Sequence, residues 1–68
     1  MKMDRTLVHK AQRLITGANV HRANTLIFQY QQAVTMFREG GNPKIDPARF
    51  EQRLREWVML ETRRALSS

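Results

Sequence analysis

The side chains able to do chemistry are few in this sequence, and their spacing keeps them apart. His9 and His21 are its only histidines. Twelve residues apart, they lie about 120° out of phase on a helix, so one helix cannot aim both at one metal ion. They read as two surface histidines. Cysteine is absent, which removes a disulfide framework and any thiolate metal site. Glu39-Gly40-Gly41-Asn42 carries glycines, but no strand precedes it and no Gly-Lys-Ser/Thr follows, so it does not match a phosphate loop. Neither His-Glu-x-x-His nor Gly-x-Ser-x-Gly occurs. Glu51 and Glu56 have arginines close in sequence and read as solvated helix charges. The residues therefore predict a non-enzymatic protein with no catalytic residue, no metal and no cofactor.

Charge is the second source of chemistry. The chain has 12 basic and 6 acidic residues, a net charge of +6 and a pI of about 11.2. Seven cations face two carboxylates in residues 1–45, and five face four in residues 46–68. The N-terminal excess could meet phosphates, with Lys10, Arg13 and Arg22 as the contacts. Gly17 between helical stretches could imitate a helix-turn-helix, and His21, Arg22, Asn24, Gln29, Gln31 and Gln32 could then reach bases. The cations are scattered, however, with no cluster of three. A small basic nucleic-acid-binding regulator is thus the alternative reading, and the plainer account of the charge is a solvated basic surface facing an acidic protein partner.

The elements that must position these groups are helical. The chain is 68 residues long and 41% hydrophobic, enough for one domain but too apolar for a disordered tail. Its longest apolar runs, Leu26–Phe28 and Trp57–Leu60, fall far below the ~20 residues a membrane helix needs. Charge at the N-terminus has no apolar stretch after it, so no signal peptide is expected. Lack of cysteine fits the cytoplasm. The clearest boundary is Arg38 to Pro47. Gly40 can take the left-handed conformation that closes a helix, and Pro43 prevents continuation. Asp46 can then cap a second helix with Pro47 at its first position. Ile45 and Phe50 are placed to form a hydrophobic staple.

The second arm, 46–66, carries Pro47, Phe50, Leu54, Trp57, Val58 and Ala65 on one stripe. Glu61 falls inside that stripe, where it marks a frayed contact or meets a basic group. Met59, Leu60 and Leu66 point away from it. Before the turn, Ala23, Leu26, Ile27, Tyr30, Ala33, Val34 and Phe37 share a face over 20–38. Leu7, Val8, Ala11, Leu14, Ile15 and Ala18 share another, rotated by about 100°. The slip falls at Thr16-Gly17-Ala18-Asn19, which favours a break or kink over one continuous helix. The expected fold is one all-α domain over 1–68: an antiparallel helical hairpin with arms 20–38 and 46–66, a turn at 39–45, and residues 1–19 as an extension or short third helix. Two helices cannot enclose apolar groups on more than one side of the second arm, so the surplus predicts a helical partner or self-association as a homodimeric hairpin.

The stretch from Phe28 to Leu66 resembles the small helical-hairpin co-chaperones of type III secretion needle subunits, the YscE-like proteins. The likeness rests on Gln29-Tyr30-Gln31-Gln32-Ala33-Val34, on the turn Phe37 to Ile45, and on Asp46-Pro47-Ala48-Arg49-Phe50-Glu51-Gln52 opening the second arm. It covers a little over half the chain. The resemblance implies a non-enzymatic module of the bacterial cytoplasm that pairs with a helical-repeat chaperone, the two together keeping a needle subunit soluble before export. Transferred to this chain, Ile27, Tyr30, Val34, Phe37, Phe50, Leu54, Trp57 and Val58 would be shared between the hairpin's own core and the partner. Sequence leaves that division open.

Overall fold

A computed structural model describes residues 2–40 and 44–67. It is all-helical: α1 is Arg5–Arg13, α2 is Val20–Arg38 and α3 is Pro47–Ser67. Helix α1 starts where the Asp4 carboxylate accepts a hydrogen bond from the Leu7 N–H at 3.1 Å, satisfying one of the donors a helix start leaves open. Lys10 and Arg13 occupy its last turn, where cations complement the helix dipole. Nine residues do not sustain a helix alone in water, so α1 depends on docking Leu7, Val8 and Ala11 into the core.

The break expected at 16–19 is present. Side chains of Thr16 and Asn19 build it. The Thr16 N–H donates to Asn19 Oδ1 at 2.7 Å, and the Ala18 and Asn19 N–H groups donate to Thr16 Oγ1 at 3.2 and 3.3 Å. Asn19 Nδ2 donates to the Leu14 carbonyl at 3.0 Å, closing the end of α1. Short polar side chains that bond nearby backbone offer the chain an alternative to helix. Asn19 spends its amide on this linker and makes no side-chain cap on α2.

At the other end, Gly40 sits at φ 72°, the left-handed region that closes helices at low cost only with glycine. Asp46 Oδ1 accepts from the Ala48 N–H at 3.0 Å, and Pro47 opens α3. Gly41, Asn42 and Pro43, and with them the expected stop at Pro43, lie outside the described residues.

Helices α2 and α3 form the hairpin, and α1 folds back across one half of it. Its start lies beside mid-α2 and mid-α3: the Asp4 N–H donates to Tyr30 Oη at 2.7 Å, and Asp4 Oδ2 is 3.6 Å from Arg55. Past its end, Asn19 Nδ2 donates to Glu61 Oε2 at 3.2 Å. Thus α1 runs parallel to α3 and antiparallel to α2. The core joins Leu7, Val8 and Ala11 of α1 to Tyr30 and its neighbours on α2 and to Leu54, Trp57 and Val58 of α3. Tyr30 and Leu54 are its largest fully buried side chains. By 1.5 Å rise per residue, α1 is about 13 Å long against about 28 Å for α2, so the turn half of the hairpin has no third helix over it.

Candidate protein-docking surface

The division between core and surface that sequence left open is drawn by α1. Ile27, Tyr30, Val34, Leu54, Trp57 and Val58 are buried within the chain itself, and a partner reaches them only if the bundle opens. Of the set expected to be shared between core and partner, these six belong to the core of the chain. Phe50 is half-buried, and Arg53 lies over its ring at 5.4 Å from the centroid, a cation–π arrangement. Of the eight residues named from sequence, Phe37 is the one that stays open, at 50% exposure.

Other apolar side chains stand outside the core. Phe28 is 61% exposed, Met59 54%, Leu60 58% and Leu66 82%. The orientation expected of Met59, Leu60 and Leu66 is observed. Phe28 was not singled out from sequence. Its signal was available, because it ends the apolar run Leu26–Phe28 but lies roughly 160° around the helix from Tyr30. Two small surface clefts involve these groups. One of about 240 Å³ lies among Phe28, Gln32, Met36, Ile45 and Phe50. Ile45 and Phe50, the expected staple, both line it. The other, about 270 Å³, lies among Glu56, Met59, Leu60 and Arg63.

A wider cleft, about 830 Å³, is bounded by Lys2, Met3, Arg5, Phe37 and Arg38. No sequence pattern announces it. It exists because α1 folds back, which brings residues 2–5 against residues 37–38 at the turn end of α2.

The ionisable groups serve the fold. Glu61, awkward on the apolar stripe, accepts from Asn19 and lies 3.7 Å from Arg64 Nη1, so it ties the α1–α2 linker to α3. Glu51 accepts from Arg55 Nη2 at 2.6 Å, one helical turn on. Glu56 accepts from Gln52 Nε2 at 3.2 Å rather than from an arginine. Burial pushes the Tyr30 phenol above its ordinary value, against the hydrogen bond from the Asp4 N–H, which lowers it. His9 and His21 are exposed on different helices, and no group of three His, Cys, Asp or Glu is placed to hold a metal among the described residues.

The cations of the alternative reading are also exposed. Lys10 and Arg13 are on α1 and Arg22 is on α2. Arg13 shares its cleft with Glu61, a carboxylate that opposes a phosphate there. Among the described residues no helix is long and apolar enough to cross a membrane.

The molecule is thus a small three-helix bundle, a hairpin with its N-terminal extension folded over one half. No family model, no curated protein and no solved structure matches this chain.

Proposed function

We propose that this chain is a non-enzymatic module that binds a helical protein partner, in the manner of a cytoplasmic secretion co-chaperone in a bacterium. One observation carries the reading. With its core already completed by α1, the chain still exposes Phe28, Phe37, Met59 and Leu60 by half or more. Scattered apolar side chains are ordinary on a surface, but these four, with Leu66 a fifth near the end of α3, are a large share of what a 68-residue chain presents to a partner. The hairpin of α2 and α3 supports the co-chaperone form of the reading, since that layout is what the turn and the Asp46-Pro47 start share with the needle-subunit co-chaperones. In that role the module stabilises a helical-repeat chaperone, and the pair occupies the sticky face of a self-polymerising subunit until export.

The test is co-purification of the tagged chain from its own cells, in wild-type form and with Phe28, Phe37, Met59 and Leu60 changed to serine. The reading expects a helical protein in fixed ratio with the wild type, with that protein lost from the variant while far-UV circular dichroism shows the bundle still helical. A solitary folded monomer in both cases overturns it. Recovery of nucleic acid in place of protein, released by salt, favours the regulator reading instead.

A further inference from the structure

We infer that the cleft between the N-terminal residues and the end of α2 seats an acidic amphipathic helix of the partner protein. The inference rests on the partner-binding reading above and names the surface and the partner's chemistry. Three observations meet at this place. Helix α1 begins at Arg5, just after Asp4 meets Tyr30 and Arg55, and leaves the turn half of the hairpin without a third helix. The cleft there, about 830 Å³, lies between the residues that lead into α1 and the end of α2.

The lining supplies both components that a helix-in-groove interface uses. Met3 is half-buried and Phe37 half-exposed, which offers an apolar floor to a partner's leucines. Lys2, Arg5 and Arg38 surround it, and no carboxylate lines the cleft among the described residues. None of the three cations makes an ion pair with a described residue. Cations left unpaired around an apolar seat select a partner with carboxylates flanking its apolar stripe and reject one with cations there. A second copy of this chain is disfavoured on the same ground, because it brings its own net charge of +6 toward those cations. The cleft at Met59 and Leu60 has no such preference, since Glu56 and Arg63 give it both signs.

The probe is an acetylated, amidated 15-residue helical peptide with leucine at every third and fourth position and glutamate elsewhere. A version with lysine in place of glutamate is the control, and a 20-nucleotide single-stranded oligothymidylate is the competitor. Binding is followed on the full chain by amide chemical shifts at 50 and 300 mM salt. The glutamate peptide is expected to shift the amides of Met3, Arg5, Phe37 and Arg38, and to bind at least tenfold more tightly than the lysine peptide. It should weaken severalfold at the higher salt. Phe37→Ala and the pair Lys2→Glu with Arg38→Glu should each weaken it about tenfold, with Arg38→Gln giving a smaller loss that does not burden the helix end. Arg63→Glu should leave affinity within twofold.

Equal binding of the lysine peptide, shifts centred on Met59 and Leu60, indifference to all the cleft variants, self-association through these residues, or displacement of the peptide by the oligonucleotide would each overturn the inference. If the helical partner still co-purifies with the wild-type chain in those cases, the broader reading survives and only this surface is lost.

Discussion

Tyr30→Phe removes one buried hydroxyl and tests how α1 is held. The phenol oxygen accepts from the Asp4 N–H at 2.7 Å, immediately before the helix, while the ring stays fully buried between the helices. Phenylalanine keeps the packing and deletes the acceptor. A typical net hydrogen bond contributes about 1 kcal/mol, and an unpaired buried donor costs up to about 3. Asp4 is only half-buried, so water can reach its N–H and the loss should sit near about 1 kcal/mol. For a domain of this size that is roughly 4–8 °C in Tm. Urea unfolding followed by Trp57 fluorescence measures the total, and amide exchange locates it. Protection should fall first at the α1 amides, because nine residues cannot remain helical once undocked. A variant as stable as wild type, or a loss spread evenly over α2 and α3, would refute the account of α1 as a helix held by docking.

The same residue predicts an alkaline limit. The folded chain holds the phenolic proton more tightly than the unfolded chain, because burial raises the group. The contribution is intact below the ordinary value near 10 and is lost as pH rises through the higher folded value. Tyr30 is the single tyrosine, so absorbance at 295 nm titrates it alone, and a midpoint at its ordinary value would contradict the burial. Gly40 and Gly17 should respond to alanine with opposite signs. Gly40→Ala forces a side chain to φ 72° and should cost about 1 kcal/mol. Gly17 has no positive φ and open space around its Cβ position, so Gly17→Ala should be neutral or stabilise by up to about 1 kcal/mol; thermal melts of the pair read both. Asn19→Ala removes the donor to Leu14 and Glu61 and the acceptor for Thr16, and should lower stability by about 1–2 kcal/mol, with Glu61→Gln giving a smaller loss. Equal stability of both to wild type would remove the linker's role.

The hairpin was legible because local chemistry and apolar period agree at each point. Gly40 stops α2, Asp46 and Pro47 start α3, and the stripe through Leu54, Trp57 and Val58 faces the stripe through Tyr30 and Val34. The break near Gly17 was legible as a slip in the apolar face, but its agents, Thr16 and Asn19, were not, because their hydrogen bonds form only when the chain turns. The division between core and docking residues stayed open in the sequence for a related reason. Periodicity shows which side chains are apolar on one face, not which element covers that face. Once α1 is seen over the hairpin, Trp57 and Tyr30 become interior and Phe37 becomes surface. The cleft at Phe37 depends on a contact between residues far apart in the chain, which no local pattern encodes.

Hydroxyl-radical footprinting of the chain in its native complex, against the free chain, tests most directly whether the exposed apolar groups dock while the buried stripe only folds. Phe37 should lose reactivity in the complex, while Tyr30 and Trp57 stay protected in both states. Unchanged reactivity at Phe37, or Tyr30 and Trp57 becoming reactive as the bundle opens onto its partner, would contradict the account.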